Sequence, residues 1–227
     1  MIRLKDNSIF IADSHYNSDR VILHIILNMI EKQEIKTTQI FLMGDMFDFL
    51  SDEIKYFKNI NSDIIFLINK LSFNIEIIYL EGNHDFNLSN IFPNLQVIPR
   101  EIQPISIIHN KKEISIAHGD IFTPLGYNIY TKIIRNHYIL KFLNFIDINN
   151  WLSKKIENDL KKKNICHKQK DFKSFIQRRI KNYDTDLVIE GHFHQGCISD
   201  KYINIPSLCC DKKYMVYTND KFLFNSL

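Results

Sequence analysis

The chain has 227 residues, of which 45% are apolar and 24% are charged, an ordinary balance for one globular domain with a substantial core. The formal net charge of +3 excludes a strongly acidic or strongly basic class of protein. We expect neither a membrane span nor a signal peptide, because no apolar stretch approaches the required length.

The cysteines predict a chain without a disulfide framework. They are Cys166, Cys197, Cys209 and Cys210, none of which forms a C-x-x-C pair. The adjacent pair is awkward for a structural disulfide. We therefore expect a reducing, cytoplasmic compartment.

Strand and helix patterns alternate along the chain. Short apolar runs predict five buried strands, at residues 9–12, 40–43, 75–80, 114–117 and 187–189. Helical spacing predicts one helix from Ser18, as its cap, to about Lys32, and another at about 61–71. This alternation indicates an α/β fold with mostly parallel pairing. The alternating runs at 202–205, 214–217 and 222–224 predict antiparallel strands that close a second sheet.

The segment between the fourth and fifth predicted strands is unusually long. We call residues 121–181 the insert and predict that it forms a helical cap within a single domain of residues 1–227, since apolar residues recur at helical spacing around Trp151 and Phe172. The insert contains 14 Lys/Arg and 4 Asp/Glu, a balance of +10, whereas the remaining residues balance at −7. The alternative is a solvated helical face with no ligand.

Polar motifs directly follow each of the five predicted strands. They are Asp13-Ser-His15, Gly44-Asp45-Met-Phe-Asp48, Gly82-Asn83-His84-Asp85, His118-Gly119-Asp120 and Gly191-His192-Phe-His194. The carboxyl ends of strands in α/β sheets are where ligands bind. Carboxylates, an amide and imidazoles together are the ligand types of a two-metal hydrolytic site.

The spacing within the motifs suggests how the side chains would act. Asp13 and His15 are two residues apart, so in an extended segment both would point to one side and bind one ion, and His192 and His194 share that spacing. Asp45 is a carboxylate that can bridge two cations. Mixed oxygen and imidazole ligands favour first-row ions such as Mn²⁺, Fe²⁺ or Zn²⁺ over Ca²⁺.

Single motifs of this kind have ordinary explanations, because a lone histidine is more often a surface or core residue than a ligand. We give that ordinary reading to the histidines outside the motifs, His24, His109, His137 and His167. Five motifs in order, each after an apolar strand, favour a metal site.

The ordered set D-x-H, G-D-x-x-D, G-N-H-D, H-G-D and G-H-x-H resembles the calcineurin-like metallophosphoesterases. The resemblance implies a four-layer αββα sandwich with the insert after the fourth strand motif, and a dinuclear metal centre. It implies one ion on Asp13, His15, Asp45 and His194, and a second on Asp45, Asn83, His118 and His192. His84 would stabilise the phosphoryl oxygens or protonate the leaving group.

Within that superfamily the chain resembles the UDP-2,3-diacylglucosamine pyrophosphatases of lipid A biosynthesis. The shared features are His118-Gly119-Asp120 and the helical insertion after it, which in those enzymes forms a lid over acyl chains. Tyr130 lies about where they have a substrate-contacting tyrosine. The commonest branch has arginine at the position of His84, so a more divergent branch fits better.

The resemblance leads to the expected function, which is hydrolysis of the UDP-linked acylated sugar to lipid X and UMP. We expect two divalent ions, with Mn²⁺ preferred, and peripheral contact with the inner-membrane surface through the basic insert. Nucleic acid is not an expected partner, and no protein partner is inferred. The alternatives are a phosphodiesterase or phosphatase acting on a soluble nucleotide, and a non-catalytic protein-binding scaffold.

Overall fold

The computed structural model describes residues 2–227 as a mixed α/β fold. The strands are β1 Ser8–Ile11, β2 Gln39–Leu42, β3 Glu76–Leu80, β4 Gln96–Ile98, β5 Ile105–His109, β6 Lys112–Ala117, β7 Leu187–Glu190, β8 Cys197–Ile198, β9 Tyr202–Asn204, β10 Lys213–Thr218 and β11 Lys221–Ser226. The helices are α1 Ile22–Glu31, α2 Lys55–Ile60, α3 Ser62–Leu71, α4 Leu125–Ile134, α5 His137–Ile146, α6 Trp151–Lys162, α7 Phe172–Arg179 and α8 Leu208–Asp211.

The strands form two sheets. The first has six strands in the order β11-β10-β1-β2-β3-β4, and β1 to β4 are mutually parallel. The second has five strands in the order β5-β6-β7-β9-β8, with β6, β7 and β9 parallel. The predicted parallel pairing of the first three strands is therefore confirmed.

Successive side chains of β1 point alternately into two buried clusters, one on each face of the first sheet. Ile9 and Ile11 of β1 pack in one buried cluster with α1 and α3, whereas Phe10 packs in a second cluster with residues of the other sheet. Phe10 stacks on Phe41 of β2 with ring centroids 4.4 Å apart. Because side chains alternate between the two faces of a strand, β1 can bury both faces. The predicted α/β class, with two sheets and packed helices, is confirmed.

The C-terminal strands join the sheets differently from the prediction. The β10–β11 hairpin pairs antiparallel with β1, so it extends the first sheet and not the second. β9 instead joins the second sheet beside β7. An alternating pattern gives the strand and its buried face, but the partner is chosen by contacts far away in sequence.

The insert contains α4, α5, α6 and α7. α7 covers the outer face of the second sheet, where Phe175 contacts Phe193 with ring centroids 4.7 Å apart. Phe193 also contacts its neighbour His192, with ring centroids 5.1 Å apart. The division of the chain into one domain and a cap remains a prediction.

The predicted absence of disulfides is wrong, because Cys166 and Cys210 are joined by a disulfide bond. Their Cα atoms lie 5.5 Å apart although 44 positions separate them in the sequence. The adjacency of Cys209 and Cys210 is no obstacle, since only Cys210 is bonded and Cys209 is free. Within residues 2–227, no helix combines the length and the apolar character needed to cross a membrane.

Candidate metal centre

The five motifs meet at one edge of the sandwich. Asp13, Asp45 and Asn83 follow the ends of β1, β2 and β3 in the first sheet, and His118 and His192 follow the ends of β6 and β7 in the second. Backbone hydrogen bonds join the turns, since the Asp13 amide donates to Gly44 O and the His15 amide donates to Asp45 O. The site therefore lies across both sheets.

The site residues adopt strained backbone conformations. Asp13, His15, Asp45, His192 and His194 all have positive φ, between 43° and 61°. The extended geometry expected for Asp-x-His and His-x-His is therefore wrong, because the chain turns sharply at each ligand. Non-glycine residues in the left-handed region are uncommon and cluster at functional sites, where the surrounding structure enforces them.

The first possible ligand group contains Asp13, His15 and His194, whose ligand atoms all lie within 4.8 Å of one another. His194 donates its Nδ1 proton to Ile165 O over 2.9 Å. In the neutral ring Nε2 then carries a lone pair, and it lies 3.3 Å from Asp13 Oδ1. Among residues 2–227, that oxygen and His15 Nδ1 are buried without a hydrogen-bond partner. Acceptor atoms facing each other in this way fit a cation between them.

The second group contains Asp45, His118 and His192. His118 donates from Nδ1 to Met43 O over 2.8 Å, which directs Nε2 into the site. Around this Nε2 lie His192 Nδ1 at 3.2 Å, Asn83 Oδ1 at 3.4 Å and Asp45 Oδ2 at 3.5 Å. A bond from the far ring nitrogen to a carbonyl is the usual way in which proteins orient metal-binding histidines. His192 and His194 thus belong to different groups.

The electrostatics favour positive charge at this centre. Burial lowers the pKa of His118, but the Asp45 carboxylate outweighs burial and raises that pKa to about 10. Burial raises the pKa of Asp45, yet the imidazoles of His118 and His84 hold it well below the usual value. Burial lowers the pKa of His15 to about 3, so its ring is neutral at physiological pH, the form that binds metals.

Two glycines let the turns approach the ligands. A Cβ atom on Gly82 would lie 2.2 Å from Asp45 Oδ1. Gly44 has a φ of +88°, and a Cβ there would lie 2.5 Å from His118 Nδ1. Since real Cβ contacts do not come this close, a side chain at either position would displace a site residue.

The third motif contributes two orienting contacts. Asp85 accepts hydrogen bonds from the amides of Gly82 at 2.9 Å and Asp45 at 3.0 Å, and so ties the second motif to the third. His84 donates from Nδ1 to Asp48 O at 2.7 Å. His84 also forms a third possible ligand group with His15 and Asp45, since one ligand atom of each lies within 4.8 Å of the others. Because Nδ1 of His84 is bonded to Asp48 O, Nε2 is its free ring nitrogen.

An open cleft of about 340 Å³ lies over the centre. Its far wall is the loop of residues 163–169, which we call the rim loop, and it places Lys163, His167 and Lys168 on the cleft. Sequence reasoning missed these residues and gave His167 an ordinary role. The run of lysines after α6 was the available signal, but nothing in its spacing linked it to the distant metal ligands.

A buried arginine network joins the insert to the site. Arg135, in the insert, donates to Gly82 O at 2.6 Å, next to Asn83. Arg100 donates from Nε to Asp120 Oδ2 at 2.9 Å, so the last residue of the fourth motif holds an arginine. Neither arginine was predicted from the sequence.

The two tyrosines of α4 differ in their exposure. Tyr130 is exposed on α4, and its ring centroid lies 6.1 Å from that of Tyr127. Burial raises the pKa of Tyr127 to about 12, and the nearby carboxylates of Asp120 and Asp45 add to this shift. Tyr127 is also the less exposed of these two tyrosines.

A family model for calcineurin-like phosphoesterases matches residues 8–196, a span that includes all five motifs. The chain belongs to this family, whose members are hydrolases acting on phosphoester bonds. The clustered ligand groups agree with the dinuclear metal dependence of the family.

Among its relatives, the chain is similar to two proteins named UDP-2,3-diacylglucosamine hydrolase. The Coxiella burnetii protein (strain RSA 331 / Henzerling II) is 24% identical over 208 residues, which cover 87% of this chain and 84% of the relative. The Wigglesworthia glossinidia brevipalpis protein is 23% identical over 202 residues, covering 83% and 79% of the two chains.

Solved structures similar to the chain include Yfce, a phosphoesterase from E. coli, at 12% identity and a TM-score of 0.47, covering 95% of this chain and 90% of that one. A dimetal phosphatase from Danio rerio has 10% identity and a TM-score of 0.46, covering 97% and 95% of the two chains.

Proposed function

We propose that this protein hydrolyses the pyrophosphate bond of UDP-2,3-diacylglucosamine to lipid X and UMP, with two divalent cations as cofactors. The observation that carries the metal chemistry is the convergence of two buried, unpartnered atoms, Asp13 Oδ1 and His15 Nδ1, with His194 Nε2, which lies 3.3 Å from Asp13 Oδ1. The observations that carry the lipid substrate are an apolar cavity beside the site and the names of the relatives.

The donor set fits two cations. Asp13, His15, Asp45 and His194 would hold one ion, and Asp45, Asn83, His118 and His192 would hold the other. Both groups offer imidazole nitrogen and carboxylate oxygen, a mixture suited to Mn²⁺. When bound, the ion pair would activate water for attack and neutralise charge on the phosphoryl group.

His84 would act on the substrate. The bond from its Nδ1 to Asp48 O fixes the ring and leaves Nε2 beside Asp45. In the protonated ring Nε2 can donate to a phosphoryl oxygen or to the leaving oxygen. The rim-loop lysines Lys163 and Lys168 would add positive charge for the phosphates from the opposite side of the cleft.

The acyl chains would enter a cavity formed between the scaffold and the insert. This cavity has a volume of about 280 Å³ and an almost entirely apolar lining, including Phe49 and Phe57 of the scaffold and Ile133, Leu143 and Ile156 of the insert. Phe49 directly follows Asp48, the residue that orients His84, so the cavity adjoins the catalytic motifs. Tyr130 on α4 would contact the part of the substrate that lies between the apolar cavity and the catalytic motifs.

The insert would also contact the membrane that carries the lipid. Its helices expose large apolar residues, among them Leu125, Tyr138, Phe142, Phe145 and Trp151. Such residues beside an excess of lysine and arginine suit an anionic lipid surface. We place the protein in the cytoplasm at the inner-membrane surface, and this placement follows from the proposed substrate.

The test compares two substrates in a variant with a blocked cavity. Leu143→Trp adds bulk inside the apolar cavity and leaves every proposed metal ligand in place. With Mn²⁺, we expect UMP release from the acylated UDP-sugar to fall at least about tenfold, while hydrolysis of bis(p-nitrophenyl) phosphate stays near the wild-type rate.

Phe66→Trp is the matched control, because it enlarges an exposed aromatic residue on α3 outside the cavity. We expect both rates to be unchanged. If Leu143→Trp processes both substrates as the wild type does, the cavity does not hold the acyl chains, and hydrolysis of a soluble nucleotide becomes the better assignment. If wild-type protein with Mn²⁺ hydrolyses neither substrate, the proposal of phosphoester hydrolysis at this centre is wrong.

A further inference from the structure

The Cys166–Cys210 disulfide joins two segments of the chain. Each segment forms hydrogen bonds to a different proposed ligand of the same metal ion, His194 in one case and Asp13 in the other. Cys166 is exposed in the rim loop, and Cys210 is partly buried in α8. The two segments are far apart in the sequence and reach the site from different sides.

The rim loop fixes His194. Ile165 O accepts the Nδ1 proton of His194 at 2.9 Å, which sets the plane of the ring. The Gln169 amide donates to Gln195 Oε1 at 3.1 Å, and the Lys168 ammonium donates to His194 O. The position of His194 Nε2 therefore depends on where the rim loop lies.

The segment at α8 fixes Asp13. Ser207 Oγ donates to Asp13 O at 2.8 Å, and the Cys209 amide donates to the same oxygen at 3.3 Å. The Leu208 amide donates to Ala12 O at 2.9 Å. A bond between the rim loop and α8 therefore sets the separation of Asp13 Oδ1 and His194 Nε2, which is 3.3 Å.

We propose that Cys166 and Cys210 are positioning residues for the proposed Asp13/His15/His194 metal site, and that reduction of their disulfide selectively weakens metal binding there. This inference rests on the proposed two-metal centre and is independent of the lipid substrate. Without the disulfide, the Lys168–Asp211 ion pair at 2.9 Å still links the side chains of the rim loop and α8. This pair is a weak link, because it is partly exposed and is screened by water and salt.

Two members of the second metal group, His118 and Asp45, are held by contacts that do not depend on the disulfide, although the His192 amide donates to Asp13 Oδ2 at 2.9 Å. His118 is oriented by Met43 O at the end of β2, and Asp45 accepts the His84 amide at 2.9 Å. These contacts lie within the packed strand ends and do not involve the rim loop. Reduction should therefore remove one ion and leave the other.

The chemistry of the switch is balanced with a phosphine or dithiol reductant. With a phosphine, phosphorus attacks one sulfur and the S–S bond breaks. Phosphorus is oxidised to the phosphine oxide with oxygen from water, while the two sulfurs take up two electrons and two protons to become the Cys166 and Cys210 thiols. The exposure of Cys166 gives the reductant access.

The test measures Mn²⁺ per chain by mass spectrometry after dialysis, with and without the phosphine TCEP. We expect two ions in the oxidised wild type, and one tightly bound ion after reduction, in Cys166→Ser and in Cys210→Ser, with the second ion bound at least about tenfold more weakly. TCEP should change nothing further in either variant. Cys197→Ser, which removes a free cysteine of β8, should behave as the wild type.

The inference is overturned if the reduced wild type and both variants keep two ions with unchanged affinity, or if TCEP removes metal equally from Cys166→Ser. If the serine variants do not fold, the titration of wild-type protein with TCEP, followed by circular dichroism, decides alone. A wild type that binds two ions but hydrolyses no phosphoester would refute the proposed function and spare this inference. An enzyme that hydrolyses the phosphoester, and whose metal binding is unchanged by reduction, would refute this inference and leave the proposed function in place.

Discussion

The scaffold and the insert use their apolar residues in opposite ways. α1 and α3 of the scaffold each bury four apolar side chains against the first sheet. The four helices of the insert each bury one side chain, and these are Thr131, Leu140, Ser153 and Arg179. Large apolar residues of the insert face outward instead, with Phe145 82% and Tyr138 80% exposed.

This difference shows which part of the sequence is explained by folding. In the scaffold, apolar residues fill the core and polar residues at strand ends are fixed by hydrogen bonds such as those to Asp85. In the insert, apolar residues exposed to water stabilise little, so their presence indicates contact with another apolar surface or ligand. We therefore propose that the scaffold carries out the chemistry and that the insert selects the substrate.

The largest expected effect lies in the scaffold. Asp45→Ala should abolish hydrolysis and lower bound metal, because Asp45 belongs to two of the possible ligand groups, one with His15 and His84 and one with His118 and His192. His118→Ala should also remove metal and activity. Asp63→Ala, an exposed carboxylate on α3, is the control. Normal metal content and turnover in the two site variants would remove the proposed centre.

His84→Ala should reduce turnover by about 10²–10³-fold, the usual loss for one transition-state stabiliser, while both ions stay bound. The reason is that its Nδ1 contact to Asp48 O directs Nε2 to the substrate side of the centre. Steady-state rates and metal content are measured on the same sample. Loss of an ion would show that His84 is a ligand and that its assigned role is wrong.

Arg179→Met tests the junction between the two regions. Arg179 donates to Glu190 Oε1 at 2.6 Å, Ile121 O at 2.6 Å and Gly119 O at 2.8 Å. Removing the guanidinium leaves a buried carboxylate uncompensated, so the free energy of unfolding should fall by about 3–5 kcal/mol. Urea denaturation measures it, with the exposed neighbour Arg178→Met as control. Equal stability of the two variants would show that this buried pair does not hold the insert.

Glu53→Gln tests a second contact between scaffold and insert, the one between Glu53 and His137. The measurement is the pH dependence of the free energy of unfolding. Burial raises the pKa of Glu53, but hydrogen bonds from Ser51 and His137 outweigh it and keep that pKa below the usual 4.5. A lowered folded-state pKa gives stability that is present above the unfolded pKa and lost as pH falls through the folded value. The variant should lose on the order of 1–2 kcal/mol at about pH 6, and progressively less as the pH falls below 4.5 through the folded-state pKa of Glu53. A pH-independent difference would contradict this origin.

The smallest effect on stability is expected in the insert. Phe145→Ser should change the free energy of unfolding by less than about 0.5 kcal/mol, because the ring is exposed, yet it should weaken binding to anionic liposomes. Phe57→Ala, at a buried scaffold position, should cost about 3–5 kcal/mol and serves as the comparison. If the two variants lost comparable stability, the apolar residues of the insert would stabilise the fold as much as those of the scaffold, and the contrast between the two regions would be wrong.

Local sequence patterns gave the elements of the scaffold. The strands at the five motifs follow from short apolar runs, and the clustering of the proposed ligands follows because carboxyl ends of parallel strands share an edge. The helix predicted from Ser18 begins instead at Ile22. Asn17 Oδ1 accepts the Asp19 amide at 2.7 Å and the Arg20 amide at 2.9 Å, and this turn delays the helix.

Features that depend on distant pairs could not be predicted in this way. The Cys166–Cys210 bond, the pairing of β10 with β1 and the contact from His194 to Ile165 join residues that no local pattern relates. The same holds for Arg135, whose single recognisable signal is a basic residue near the end of a helix. Residues that orient the ligands are harder to predict than the ligands themselves.

The most direct test of this division of labour is the acyl-chain dependence of the wild-type enzyme. We predict that, with Mn²⁺, kcat/KM for UDP-2,3-diacylglucosamine exceeds that for the same UDP-sugar without acyl chains by at least about 100-fold. Burial of about four methylene groups, at about 0.8 kcal/mol each, suffices for this preference. Equal kcat/KM values for the two substrates would show that the apolar residues of the insert do not select the substrate, and would contradict the account.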